Sequence, residues 1–341
     1  MKLNKHQLGI SMVEVLVALV ISVFLLGGII QIYVGNKATY GFTDAISRIQ
    51  ENGRFAMDSM TTDLRMAGFF GCAVFDPDDT ENIVNNLNPS SPDYDPNIHD
   101  FILAGVINGT ENDGLNGSDS VTLRGSKPNQ VNVHPPYNVS TSAMIHVTAN
   151  NAIKPGDIVM VANCRGADIF EVTNTTTSAN ASQNAVVHNT GGGSPGNYNP
   201  DSCQGGNAHC LSQTYGSDAA MFEMQTVTYS IQAGDGGEPA LFRSENGTDI
   251  ELIDGIEQMQ ILYGLDTDGD KHANRYVTID NVPDTFDVMA VRLMLLVRSR
   301  KDFVAEDNQK YTFNGANVTA GDRRLRQVFM TTIALRNRVG S

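Results

Sequence analysis

Hydrophobic and polar positions fall into three regimes along the chain. Across residues 10–30 the apolar run is nearly continuous, and only Ser11, Glu14 and Ser22 interrupt it. About 20 apolar residues cross the hydrocarbon core of a bilayer as a helix, so this stretch is long enough to span. Across residues 43–72 the pattern changes. Ala45, Ile46, Ile49, Gly53, Ala56, Met57, Met60 and Leu64 recur at spacings of three and four, while Arg48, Glu51, Arg54, Asp58 and Asp63 take much of the other side. That period marks an amphipathic helix, and its Met-rich stripe is expected to pack under a sheet. Joined, the two stretches predict one helix over residues 11–67, roughly 80 Å long at 1.5 Å per residue. Gly27, Gly28, Gly35 and Gly41 are its weak points. Gly68 and Gly71 stop it.

The third regime is strand-like. Segments 119–125, 143–148, 157–164, 168–174, 224–232, 240–245, 259–266, 288–299 and 326–337 alternate or run apolar with β-branched residues, between clusters of Gly, Asn, Asp and Pro. These read as strands. The fold class is therefore α+β: a long N-terminal helix, first transmembrane and then amphipathic, packed on a mostly antiparallel β-sheet domain. Residues 174–207 are too polar to bury a core and are expected to form a long surface loop. Residues 76–100, with Pro77, Pro89, Pro92 and Pro96, are expected to form a second one.

Charge narrows the function classes. The 341 residues carry 23 Lys+Arg against 38 Asp+Glu, a formal net charge of -15, whereas a general nucleic-acid binder carries a broad basic footprint. Nucleic acid is thus not an expected partner. Trp is absent and aromatics make up 7% of the chain, a composition that suits an exposed β-rich domain with long loops. The leader, residues 1–9, holds Lys2 and Lys5 and no acid. Positive charge keeps it in the cytoplasm and sends the bulk of the chain outward. A cleaved secretory signal fits poorly, because "GGIIQIYVGNKATYG" offers no good small-x-small site. Neither a signal nor a plain anchor accounts for Glu14, since an ionisable group near the membrane is costly and needs a partner.

The stretch "GISMVEVLVAL" resembles the type IV prepilin signature. The resemblance implies that a prepilin peptidase cuts between Gly9 and Ile10 and methylates the new amine. It further implies that Glu14, fifth in the mature chain, pairs with the N-terminal amine of a neighbouring subunit. A buried ion pair of that kind acts mainly as a register device. The stretch "SRIQENGRFAMDSMTTDLRMAGFFGC" is more specific: its R-x-Q-E-N-G-R-F-A run and closing R-x-A-G-[FY]-x-G-C are similar to the helix of PilW-type minor pilins. "GDIVMVANCRGADIFEVT" and the C-terminal "VRLMLLVRSR…RRLRQVFMTTIALRNR" agree with it, so the likeness runs from end to end with unmatched loops between.

Organisation follows as a leader (1–9), a transmembrane and filament-core helix (10–35), an amphipathic half (36–71) and an exported pilin-like domain (72–341). The resemblance implies a minor pilin that primes type IV pilus assembly at or near the tip, supporting adhesion or twitching motility. Its implied partners are other minor pilins, the major pilin, prepilin peptidase, the inner membrane and a tip adhesin. It would sit in the inner membrane of a Gram-negative bacterium and then in the cell-surface pilus. The alternative is a minor pseudopilin of a type II secretion system, which shares the N-terminal signature.

Motifs that carry chemistry are sparse. "GGSPG" around Ser194 matches a nucleophile elbow on paper, but that motif needs a strand entering and a helix leaving; Ser194 lies in a Gly/Asn loop followed by Pro195. No catalytic constellation, P-loop or dinucleotide fingerprint stands out, so no enzymatic activity and no cofactor is expected. For an exported domain the four cysteines read as disulfides. Three pairings are open; the preferred one joins Cys203 to Cys210 within one loop and Cys72 to Cys164. Asp266, Asp268 and Asp270 alternate in a Gly-containing turn with Asn274 following, and such oxygens could converge on Ca²⁺. The spacing is not that of an EF-hand, and a solvated acidic turn is the preferred reading. Late in the chain Arg298, Arg300, Lys301, Arg323, Arg324, Arg326, Arg336 and Arg338 are expected to form a local basic face, for an acidic partner subunit or as strand-edge protection, with DNA the lesser alternative.

Overall fold

The computed structural model describes residues 11–73, 82–137, 139–177, 183–190, 193–198 and 210–339. It opens with helix α1 (Met12–Met66), 55 residues without a break. Among the residues of α1 only Ala45, Ile49, Gly53, Ala56, Met60 and Leu64 are buried. The apolar half before them is exposed on all sides. The helix ends where Ala67 turns extended and donates its N–H back to the carbonyls of Asp63 and Leu64.

Strands follow as β1 (Ile83–Asn85), β2 (Ile107–Gly114), β3 (Ser118–Asn132), β4 (Met144–Thr148), β5 (Ile158–Asn163), β6 (Gly166–Glu171), β7 (Asn174–Thr177), β8 (Gln183–Val187), β9 (Ala220–Ala233), β10 (Pro239–Glu245) and β11 (Thr248–Asp254). Then come β12 (Ile256–Leu265), β13 (Arg275–Val277), β14 (Val288–Arg298), β15 (Lys310–Phe313), β16 (Ala316–Thr319) and β17 (Arg326–Ala334). Two one-turn helices complete the list: α2 (Pro96–His99) and α3 (Arg336–Val339).

The larger sheet is built around β9. One edge of β9 pairs with β3, and the other is shared by β5 at its start and β10 at its end. β2 adds to β3, β11 to β10, and β6 then β1 to β5. Every pairing is antiparallel except β1 on β6. The chain reaches the second sheet through a single residue, Gly255, between β11 and β12. That sheet runs β13-β12-β14-β17, antiparallel throughout.

The buried stripe of α1 lies over both sheets, touching β3, β11, β14 and β17. Met60 and Leu64 share one core with Met224, Tyr229, Met259 and Leu293. Burying apolar side chains contributes about 25 cal/mol per Å² removed from water, so this seam is what ties helix to domain. A second cluster forms where β4, β8 and β7 cover the back of β5 and β6, around Val147, Val161, Phe170 and Val186. The β15–β16 hairpin closes a third over Met294 and Leu296 with Phe313.

Two expected loops hold more structure than their polarity implies. Residues 174–177 and 183–187 pair with each other and with β4 as a three-stranded sheet. Asn174 and Thr176 are exposed, while Val186 packs in the second cluster. In the proline-rich stretch, Ile83 and Leu87 are buried, and β1 adds a parallel strand. Pro89, Pro92 and Pro96 come after that strand, and Pro96 opens α2 at a position where a missing N–H costs nothing; Pro77 lies outside the described residues.

Candidate functional site

At the N-terminus of α1 the Ser11 hydroxyl accepts from the Val13 N–H at 3.3 Å, and the Glu14 carboxylate accepts from the Ser11 N–H at 3.0 Å. The two bonds make a capping box. Glu14 thus lies where the helix dipole favours an anion, and its side chain is exposed. Gly9 and Ile10 lie outside the described residues. Beyond the cap, Met12, Leu16, Phe24, Ile29 and Tyr33 are each at least 60% exposed. A helix that is apolar all round belongs in a membrane or among other helices. By length and composition the segment fits membrane anchoring.

The lower half of α1 is held to the sheets at several points. Gly53 lies against the Phe329 ring of β17, and a Cβ there would overlap the ring. Asn52 donates to the Asp254 carbonyl at 3.0 Å. Ala56 is fully buried. The N-G-R-F-A part of the sequence motif is therefore a packing surface: Asn52, Gly53 and Ala56 face the sheets, and Arg54 and Phe55 face outward.

One turn further on, a polar network crosses from helix to sheet. The Tyr229 hydroxyl donates to Asp63 at 2.7 Å and lies 3.2 Å from Ser59. Arg243 donates to the same Asp63 oxygen at 2.9 Å and to Glu245 at 2.5 Å. Lys127 then bridges Glu245 and Glu223. Burial, together with the Asp63 charge, pushes the Tyr229 hydroxyl well above its ordinary value. Burial opposes the charge on Arg243 but is outweighed by the carboxylates of Glu245 and Asp63. Charged hydrogen bonds contribute about 1.5–3 kcal/mol each, more than neutral ones.

The helix exit is cross-linked. Cys72 is bonded to Cys164 at the end of β5, across 92 residues of sequence. Gly71, at φ +65, leaves room for Phe222, whose ring would come within 2.7 Å of a Cβ there. Phe69 meets the same ring edge to face at 5.8 Å. Cys210 is also disulfide-bonded; Cys203, its expected partner, lies outside the described residues. The segment after Cys210 is pinned by Asp168, a buried carboxylate on β6. It accepts from the Ser212 N–H and hydroxyl, the Tyr215 hydroxyl at 2.7 Å and the Asn86 amide at 2.9 Å. Burial pushes its pKa up, against those hydrogen bonds.

The expected basic face is partly neutralised, while Lys301 and Arg336 are exposed. Arg298 bonds Glu238 and Glu257, Arg324 bonds Glu238 and Asp322, and Arg326 bonds Glu257 and Asp322. Arg323 stacks over Phe303 at 4.5 Å. Asp322 is local to these strands, whereas Glu257 from β12 and Glu238 from the turn before β10 converge on them from outside 298–326, which spacing within that range does not reveal. Arg300 remains exposed, with a long 3.7 Å contact to Asp254.

Asp266, Asp268 and Asp270 bring ligand oxygens within 4.8 Å of one another. Asp266, however, already accepts from the N–H groups of Asp268, Gly269 and Lys271. Its slight burial raises its pKa, and these backbone bonds outweigh that and lower it. Asn274 points its oxygen back at Thr267. The four residues close a turn. Ser194 likewise serves a structural contact: its N–H and that of Gly196 bind the buried Glu171 carboxylate.

Asp63, Tyr229, Arg243 and Asp168 belong to no motif in the sequence; a charged residue inside the apolar segment "GADIFEV" is the one signal from which Asp168 can be read.

Residues 228–337 match the family model of the type IV pilus-assembly protein W. No curated protein and no solved structure matches the chain.

Proposed function

We propose that this chain, a PilW-type type IV pilus protein, is a minor subunit that primes pilus assembly at or near the tip and supports adhesion and twitching motility. In this reading the leader stays in the cytoplasm, and α1 holds the precursor in the inner membrane. Prepilin peptidase cuts between Gly9 and Ile10 and methylates the new amine. Other minor pilins, the major pilin and a tip adhesin are then its partners at the cell surface. No catalytic step and no cofactor enters.

The observation that carries the reading is the division of α1. Its first half is apolar on every side and has no partner among the described residues, whereas its second half is locked to both sheets. A rigid lever with one bare end is suited to insertion into a bundle of like helices. Glu14 adds a condition. Its carboxylate is engaged by its own helix cap, so docking exchanges the Ser11 N–H for a neighbour's amine. A minor pseudopilin would share this signature, but the match over residues 228–337 favours the pilus. Replacing Glu14 with Gln keeps an acceptor for the cap and removes the charge. Incorporation into pili is expected to fall while membrane insertion persists. Unchanged incorporation would count against the docking role.

A further inference from the structure

β17 pairs with β14 in an unbroken register, from Ala290↔Ala334 to Arg298↔Arg326. The flanking bonds, Leu335 N–H to Met289 O and Ser299 N–H to Leu325 O, set the alternation: odd residues of β17 face β14. The N–H and C=O groups of Val328, Met330 and Thr332 therefore point away from the sheet. At Arg326 that outer side is occupied, because the Gln309 amide accepts from its N–H at 2.7 Å and donates to its C=O at 2.8 Å. Past that point the outward groups of Val328, Met330 and Thr332 have no partner among the described residues.

Sheet edges are ordinarily guarded by charge, proline, bulges or shortness. β11 carries Asp249, Glu251 and Asp254; β2 carries Glu111 and Asp113 and an irregular register; β13 has three residues. Residues 327–335, "QVFMTTIAL", hold no charge and no proline. Beside this edge runs a groove of about 600 Å³ lined by Arg54, Phe55, Asp58, Arg65, Phe329 and Thr331. Met330 is 66% exposed on the opposite face.

We infer that β17 is a docking edge that accepts one β-strand from a different pilus subunit. Backbone bonds to Val328, Met330 and Thr332 would supply affinity, and alternate side chains would supply specificity. The strand that fits is extended and uncharged at its centre, with apolar side chains over Phe55 and Phe329. Arg54 and Arg65 favour acids near its ends. A second copy of this chain is the poorer occupant. Antiparallel pairing of two β17 edges turns one α1 against the other, whereas anchors in one membrane keep their helices parallel. The inference rests on the pilus-subunit reading.

The test is residue-resolved hydrogen exchange on the full chain, alone in detergent and within sheared pili. The amides of Val328, Met330 and Thr332 are expected to exchange freely alone and at least about tenfold more slowly in pili, while Phe329 and Thr331 are protected in both. Equal exchange at the even positions in pili that contain the chain overturns the docking edge and leaves the pilus reading intact; absence of the chain from pili overturns both. Concentration-dependent protection of the chain alone assigns the edge to a second copy and overturns the hetero-subunit form. Thr332→Pro removes one outward N–H and no bond to β14, and is expected to lower incorporation about tenfold with the fold retained. If that chain does not fold, Met330→Lys puts a guarding charge beside the edge, and unchanged incorporation of that variant contradicts the inference.

Discussion

Gly53 and Phe329 occupy one another's space: the ring of the sheet residue lies where a side chain on the helix residue would begin. That contact sets how closely α1 approaches β17. Gly53→Ala forces the ring aside and is expected to cost about 1–3 kcal/mol, the usual range for overpacking. Phe329→Leu in the same chain is expected to recover part of the loss. A double-mutant cycle by denaturant unfolding in detergent checks this, and additive effects would contradict the contact.

The Asp63–Tyr229–Arg243 network makes a separate prediction. Tyr229→Phe removes a hydrogen bond to a charged partner and is expected to cost about 1.5–3 kcal/mol. Asp63→Asn leaves Arg243 without one of its carboxylates and is expected to cost at least as much. Unfolding measured for both variants tests the order.

How far the fold was legible follows from where each element gets its partners. The two halves of α1 and strands such as β9, β12, β14 and β17 face the main core, so their apolar period is written along the chain. β7 and β8 cover only a satellite cluster, and a few apolar residues among threonines and asparagines suffice for that. β1 has three residues and is a strand because β6 lies beside it. Polar anchors were harder to read. Asp168 is stable in the interior only through Asn86, Ser212 and Tyr215. The late arginines read as a surface because two of their acids, Glu238 and Glu257, come from elsewhere in the chain.

Acid is expected to act through Asp322. The hydrogen bond from Arg326 holds its carboxyl below the ordinary carboxylate range, against a smaller effect of burial. The folded group binds its proton more weakly than the unfolded one, so its contribution is complete above the unfolded pKa and is lost as pH falls through the folded value. Asp322→Asn should be less stable than the parent at neutral pH, and the gap should close below about pH 4. Thermal unfolding across that range tests it; a constant gap would contradict the assignment.

Cys72 ties the helix exit to β5 by a loop of 92 residues. Cys72→Ser is expected to destabilise the chain by roughly 4 kcal/mol or less, with exchange rising first around residues 65–73. Uniform loosening of the whole domain would argue against a local clamp.

The turn at Asp266 is expected to take up no Ca²⁺ at millimolar concentration, because its first carboxylate is spent on three backbone N–H groups. Calorimetry of the full chain checks this. Saturable binding abolished by Asp268→Ala would establish a site.

The central claim concerns a processed subunit present in few copies. Quantitative mass spectrometry of sheared pili addresses it most directly. The account predicts a mature chain beginning at Ile10, methylated at its amine, at a small fraction of the major subunit. A chain that keeps residues 1–9, or one as abundant as the major subunit, would contradict it.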